Sequence, residues 1–340
     1  MRVGDFKVIQ VIRDGNPMPD WVPQELEKAG LELTVATSWD VAELARNASD
    51  ADIVWSYGGR HGLLKGENLK VLKRCGAIVR TGSGTDNVDI RTCTELGILV
   101  ANTPDAVTDP VVDHTISLLF SLVRQIAVQD RHLRAGRWEQ FQVRPLRRFC
   151  GATLGLIGFG RIPRRIVSKL AGFEIKFLSF DPYVSAESMA AQGVKKVSLE
   201  ELLRLSDYVS VNAPLNEDTR YLLDAQALRM MQPHAVLINT ARGALVDEAA
   251  LAEALKEKRI AGAALDVFEH EPIQPDNPLL GLDNVILTPH LSGYADSYPE
   301  DMCRHTVEAM IDLKEGYWPR SCVNPQVVPR WGPLKPRRHA

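Results

Sequence analysis

The sequence predicts an α/β protein built from two Rossmann-like or flavodoxin-like domains with parallel sheets, and three observations carry that prediction. Short β-branched runs alternate with helical patterns over most of the chain, which is the signature of βαβ units. A length of 340 residues suits about two domains. A glycine-rich strand–turn–helix signature opens the second, more regular part of the alternation.

In the first part, strands are expected at residues 6–12, 33–36, 53–55, 77–80 and 99–100, with helical stretches between them such as 41–47 and 67–74. A long helical pattern follows at 111–127, with Leu118, Leu119, Leu122 and Ile126 on one face. Residues 137–149, rich in Arg and aromatic side chains, read as a loop. The second series of strands is expected at 153–157, 176–180, 208–211, 235–239, 262–265 and 285–287. A last helix, 299–314, leads to a Pro-rich, basic end at 331–340, expected to be a disordered, solvated tail.

Composition narrows the function classes. The formal net charge of -3 supplies no basic field for nucleic acid or an anionic membrane. The five cysteines are scattered without a C-x-x-C, which favours free thiols in a reducing compartment over disulfides or zinc. The opening MRVGDFKVIQVIRDG reads as a first strand and not as a signal peptide. No apolar run is expected to approach the ~20 residues that span a bilayer. Together these features predict a cytoplasmic protein. His61, His114, His132, His234, His305 and His339 show no metal-ligand spacing, and no metal is expected.

The sharpest local feature is Thr153-Leu-Gly-Leu-Ile-Gly158-Phe-Gly160-Arg161-Ile162-Pro163. Gly158 permits a tight turn, and Gly160 lets the backbone approach a pyrophosphate at the positive end of the next helix. Asp181, 21 residues beyond Gly160 at the end of the following strand, is placed to hydrogen-bond the ribose hydroxyls. An acid there repels a 2′-phosphate, so NAD is expected over NADP. Pro163 replaces the third glycine of the fingerprint. Its missing N–H costs little in a first helical turn, but its ring is expected to push the helix slightly from the sheet.

A hydride-carrying cofactor leaves the protein to supply a cation for an anionic substrate group, an acid/base for the reacting oxygen, and a partner that fixes the acid/base. Arg242 follows a strand in Asn239-Thr240-Ala241-Arg242-Gly243, and its fork can grip a carboxylate bidentately. His290 follows another strand in Thr288-Pro289-His290-Leu291-Ser292-Gly293. Its partner is Glu269 or Glu271, both in Asp266-Val-Phe-Glu-His-Glu-Pro272. A carboxylate beside the imidazole would stabilise its charged form, which donates a proton during reduction.

With these residues in order, the chain from about Gly76 to Gly293 resembles the D-isomer-specific 2-hydroxyacid dehydrogenase family. The stretches that carry the resemblance are Arg80-Thr-Gly82-Ser83-Gly84-Thr85-Asp86-Asn87-Val88-Asp89, Asn102-Thr-Pro104, Val112-Asp113-His114, the glycine fingerprint, Ala213-Pro214-Leu215 with Thr219, Asn239 to Gly243, Asp266 to Pro272, and Thr288-Pro289-His290. The resemblance implies Arg242 as the substrate arginine, His290 as acid/base and Glu271, the Glu before the proline, as its partner. It implies that Ser83 and Gly84 hold the substrate carboxylate through backbone N–H groups. Thr240, Ala241 and Asp266 would line the nicotinamide, and Arg161, Ile162, Ala213, Pro214, Thr219 and Gly293 would add cofactor contacts. It further implies a discontinuous substrate domain, 1–104 with 296–340, an NAD domain at 105–295, and an active site in the cleft between them. A homodimer through the cofactor domain, with the long helix after Pro110 in the contact, is also implied.

Two departures from the family pattern are Asn212, where many relatives carry His, and Asp113, where Glu is usual. They leave the reaction class intact and bear on the choice of substrate. Glyoxylate, hydroxypyruvate, 3-phosphoglycerate and longer sugar acids remain candidates, and Arg60 is a candidate ligand for a second anionic group. Two rival functions share the motifs: an NADH-sensing corepressor-like binding protein, and a phosphite dehydrogenase-like enzyme. Formate dehydrogenases put Gln where Glu271 stands, which counts against that relative.

Overall fold

A computed structural model describes residues 6–13, 18–57, 62–138 and 146–337. Arg60 and much of the 137–149 loop lie outside the described residues. The chain divides into two compact units, Met1–Val107 with Ala295–Ala340, and Thr108–Tyr294.

The first unit contains β1 (Phe6–Arg13), β2 (Leu31–Val35), β3 (Ile53–Tyr57), β4 (Ala77–Arg80) and β5 (Leu99–Asn102). They form one parallel sheet in the order β2-β1-β3-β4-β5. Both faces of a parallel sheet must be covered. Helices Trp21–Lys28 and Tyr298–Lys314 bury Val22, Leu26, Cys303, Val307 and Met310 on one face. Helices Val41–Ala48 and Ile90–Glu95 bury Leu44, Ala48 and Cys93 on the other. Asp40 and Asp89 start those two helices, each accepting a hydrogen bond from the backbone N–H three residues on.

The end of the chain departs from expectation in part: Trp331 and Leu334 pack on this unit's core and Lys335 pairs with Tyr317, while Pro333 and residues 335–337 are exposed. The Trp331 ring meets Phe6 edge-on at 5.2 Å between centroids. Gly76 makes room for that indole, because a Cβ there would lie 2.1 Å from it. The Arg330 guanidinium donates to the carbonyls of Leu72 (2.9 Å), Cys75 (3.1 Å) and Lys73 (3.2 Å). A basic composition masked this, since the arginine binds carbonyls that end other elements and not solvent.

The second unit contains β6 (Thr153–Ile157), β7 (Lys176–Phe180), β8 (Val194–Lys196), β9 (Tyr208–Val211), β10 (Val236–Asn239), β11 (Gly262–Leu265) and β12 (Val285–Leu287). All are parallel, in the order β12-β11-β10-β9-β6-β7-β8. β8 was not expected, being three residues long with two lysines. The order reverses at β6, so the crevice outside the carboxyl ends of β6 and β9 is the topological switch point where ligands bind in such sheets. Gly155 lets the chain just after helix Leu199–Leu205 approach β6, since a Cβ would lie 2.3 Å from Ser206 Oγ.

The long helix spans Asp105–Arg124, earlier than the 111–127 pattern, with Pro110 inside it. It stops at Gln125, whose φ of 53° is left-handed, and a second helix runs Ile126–Arg134. Contrary to expectation, Asp105–Arg124 is long and apolar enough to cross a membrane by length and composition. Its Val112, Leu118, Leu119, Leu122 and Val123 are buried with Leu154, Leu156 and Ile166, which accounts for its apolar side as a core face.

Candidate functional site

The predicted site residues of the second unit gather at the carboxyl ends of its strands. After β6 the chain turns through Gly158, whose φ is +90°. A Cβ there would lie 3.0 Å from the Asn212 carbonyl oxygen, so the turn requires glycine on two counts. Gly160 precedes helix Arg161–Leu170, and a Cβ on it would meet nothing within 4 Å. That open approach to the positive end of a ten-residue helix fits a pyrophosphate. Pro163 is buried at the third helical position, where an amide would have no intrahelical partner. The helix runs unbroken past it and buries Ile166, Val167 and Leu170. Ile162 packs on the same core, whereas Arg161 is exposed.

Asp181 follows β7 and faces the glycine turn. One carboxylate oxygen accepts the Phe159 N–H at 2.8 Å; the other accepts those of Tyr183 (2.8 Å) and Val184 (3.2 Å). A carboxylate has about four lone-pair sites, so Asp181 clamps the turn and retains capacity for a ribose hydroxyl. After β9, Ala213 and Pro214 open a loop that Thr219 builds: its hydroxyl donates to the Pro214 carbonyl at 2.6 Å and accepts the Asn216 N–H at 2.9 Å. Asn212, the departure from the family pattern, donates its amide to Ser210 O and Oγ.

After β10, Asn239 shapes the loop that carries Arg242. Its side-chain oxygen accepts the Ala241 N–H at 3.0 Å and its amide donates to the Arg242 carbonyl at 2.9 Å. Arg242 Nη1 donates to the Ala241 carbonyl at 2.6 Å. Gly243 is dictated by a close approach: a Cβ would lie 1.9 Å from the Phe268 carbonyl carbon. The Arg242 and Glu271 loops therefore touch backbone to backbone. Thr240 Oγ1 lies 2.8 Å from Thr115 Oγ1.

Asp266, at the end of β11, is fully buried. It shapes the turn that holds His290, accepting from Thr288 Oγ1 (2.6 Å), Leu291 N–H (3.0 Å) and Ser292 N–H (2.9 Å). Its carbonyl accepts the His290 N–H at 2.8 Å. His290 sits in the left-handed region at φ 53°, a conformation uncommon for non-glycine residues and found at functional sites. Gly293 lies just beyond this turn. His114, for which the sequence offers no metal-ligand spacing, belongs to the same network. Its Nε2 lies 3.1 Å from Thr288 Oγ1 and 3.7 Å from Asp266 Oδ1. Asp113 beside it pairs with Lys169 of the Arg161–Leu170 helix at 2.5 Å.

His290 Nδ1 lies 2.6 Å from Glu271 Oε2, with the two side chains 46% and 34% exposed. Burial alone would raise the Glu271 carboxyl above its ordinary 4.5. The His290 hydrogen bond and charge, the Phe268 N–H and the Arg242 charge outweigh it and hold the group lower. Arg242 and His290 thus both act on Glu271. Glu269, the alternative partner, is engaged elsewhere, with Tyr221 and the Glu248 N–H. Ser83 and Gly84 belong to the first unit, in the loop after β4. There Gly82 turns at φ +116°, its N–H donates to Thr103 Oγ1 at 2.7 Å, and Asn102 Nδ2 donates to the Ser83 carbonyl at 2.8 Å.

Comparison with known proteins accords with this geometry. The family model for the NAD-binding domain of D-isomer specific 2-hydroxyacid dehydrogenases matches residues 116–292. A glyoxylate reductase of Korarchaeum cryptofilum is 40% identical over 249 residues, covering 72% of this chain and 75% of that one. A D-3-phosphoglycerate dehydrogenase of Methanocaldococcus jannaschii is 35% identical over 328 residues, covering 94% of this chain; the match spans 61% of that enzyme's length. Among solved structures, an acyclic imino acid reductase in complex with NADPH and D-Arg superposes with a TM-score of 0.84 at 27% identity, covering 94% of this chain and all of that one.

Proposed function

The chain belongs to the D-isomer-specific 2-hydroxyacid dehydrogenase family, and from that membership we propose that it interconverts a small D-2-hydroxy acid and its 2-keto acid with NAD as cofactor. The observation that carries the reading is the 2.6 Å contact between His290 Nδ1 and Glu271, with Arg242 near enough for its charge to act on that carboxylate. With Nδ1 committed to Glu271, Nε2 is the nitrogen that faces a substrate oxygen. The imidazolium donates a proton from Nε2 to the keto oxygen during reduction, and the neutral ring takes one back during oxidation. Arg242 grips the carboxylate and polarises the carbonyl. The nicotinamide, when bound, supplies or accepts the hydride at C2.

The glycine turn, Asp181 and the loops at Ala213, Thr240 and Asp266 would hold that cofactor. The activity test is loss of NADH absorbance with a panel of 2-keto acids from glyoxylate and hydroxypyruvate to branched and sugar-derived acids. Consumption with at least one acid supports the reading; silence across the panel, with NADH still bound, counts against it.

Asp181 supports NADH over NADPH, because its carboxylate at the ribose site opposes a 2′-phosphate. The Asp181→Ala variant is expected to lower the NADH-to-NADPH ratio of kcat/KM by about tenfold or more, the effect of ~1.4 kcal/mol of lost discrimination. The ratio cancels any uniform loss from loosening the Phe159 turn. An unchanged ratio would show that another group reads the ribose.

A homodimer completes the proposal. Ile126, Leu133 and Trp138 are 56%, 58% and 76% exposed on and just after the helix that follows Asp105–Arg124, large apolar side chains of the kind a partner surface covers. Light scattering is expected to give twice the 37.7 kDa chain mass. A monomer at micromolar concentration would contradict it.

A further inference from the structure

We propose that Tyr221 and Glu269 form a strut that fixes the Arg242 loop against the Glu271 loop, making both positioning residues for the reaction; this rests on the functional reading above. Tyr221 lies in the left-handed region at φ 53°, a conformation that persists only where its surroundings impose it. Two sets of bonds impose it here. Along the backbone, its N–H donates to the Ala244 carbonyl at 2.8 Å, two residues beyond Arg242, and Leu223 N–H donates to Leu245 at 3.0 Å. Through the side chain, its hydroxyl donates to Glu269 Oε2 at 2.8 Å, two residues before Glu271. A single residue thus holds both catalytic loops.

The far end of the strut is anchored in turn. Glu269 Oε1 accepts the N–H of Glu248 at 2.8 Å, at the start of helix Glu248–Lys256, and Glu248 Oε2 accepts the Glu269 N–H at 3.1 Å. A carboxylate at a helix N-terminus is favoured by the helix dipole. Arg220 closes the near end: its Nη2 donates to the Tyr221 hydroxyl at 2.8 Å and its guanidinium lies 4.3 Å from the ring centroid. The hydroxyl therefore has one donor and one acceptor, and its direction is fixed. Between the anchors lies the backbone contact of Gly243 with Phe268, and Phe268 N–H donates to Glu271 Oε1 at 3.0 Å. Loss of the strut frees Phe268 to shift, and Glu271 and His290 shift with it.

The experiment compares wild type, Tyr221→Phe, Glu269→Gln and the double variant with NADH and the 2-keto acid turned over best. Because misplacing a catalytic group by about 1 Å can cost ~100-fold, a partial loosening is expected to lower kcat about tenfold with KM within about twofold. The double variant is expected to be no slower than the worse single one, since both break one contact. A Tyr221→Phe kcat within about twofold of wild type, or losses that multiply in the double variant, overturns the proposal. Hydrogen exchange of the Phe268 amide reads the strut without turnover. It is expected to quicken at least about fivefold in Tyr221→Phe while core-strand amides hold their rates, and equal rates in both proteins overturn the strut. A wild type that reduces no keto acid overturns the functional reading, and the Phe268 exchange still decides the strut.

Discussion

Replacement of Arg242 by Ala is expected to lower kcat/KM for the keto acid by about a hundredfold to a thousandfold, the effect typical of removing one preorganised donor to developing charge, while the Kd for NADH stays within about twofold. The split follows from position. Arg242 stands at the end of a loop whose shape Asn239 sets through two hydrogen bonds and whose approach to Phe268 Gly243 permits. None of those contacts needs the guanidinium beyond its own bond to the Ala241 carbonyl. Removing the fork should therefore delete the carboxylate clamp and leave the glycine turn at Gly158 intact. Lysine keeps the charge without the planar fork, so Arg242→Lys is expected to recover only part of the loss. Steady-state kinetics and NADH fluorescence titration measure the two quantities. Turnover that survives in Arg242→Ala would assign the clamp elsewhere.

The second large effect is at His290. Removing a positioned acid/base typically costs about a hundredfold to ten-thousandfold, and His290→Ala is expected to fall in that range for kcat. Glu271→Gln should lose less than His290→Ala but more than surface variants, because it removes the charge that holds the imidazole. The pH behaviour separates the two groups. Glu271 is held below its ordinary 4.5, so its carboxylate is charged at every pH above that value. A carboxyl lowered in the folded state contributes stability that is present above 4.5 and lost as pH falls through the lower folded value. Any acid limb of kcat/KM with a midpoint above 4.5 therefore does not belong to Glu271. Arg242 supplies part of that lowering, so Arg242→Ala should move the acid unfolding transition towards higher pH. Thermal melts between pH 3 and 6 test this, and a melting profile identical to wild type would contradict the charge coupling.

How far the sequence foretold these features depends on how local each one is. The strands that read correctly are β-branched runs buried on both faces, such as Thr153–Ile157 and Tyr208–Val211. β8 escaped because Val194–Lys196 offers three residues and one buried side chain, too short for a periodicity to show. The chain end was misjudged because composition weighed Pro and Arg and could not see that Trp331 fits over Gly76. At the site, Gly158, Gly160 and Asp181 were legible because their spacing within one βαβ unit is itself the signal. The choice between Glu269 and Glu271 was not legible from position alone, since both stand in one short loop; resemblance favoured Glu271, and the distances place it against His290. Tyr221 was missed, and His114 stood only within a quoted motif with no contact foreseen, because their partners lie 48 and 174 residues away, respectively. Nothing in their immediate neighbours announces those contacts.

In the proposed reaction, hydride passes to or from C2 of a 2-hydroxy acid within this site. Incubating the protein with NADH deuterated at both C4 positions and a 2-keto acid that gives a chiral product, then analysing that product by mass spectrometry and chiral chromatography, tests this. The expected product is a D-2-hydroxy acid carrying one deuterium at C2, formed by wild type and lost in Arg242→Ala and His290→Ala. An unlabelled or racemic product, or no product from any keto acid in a protein that binds NADH, would contradict it.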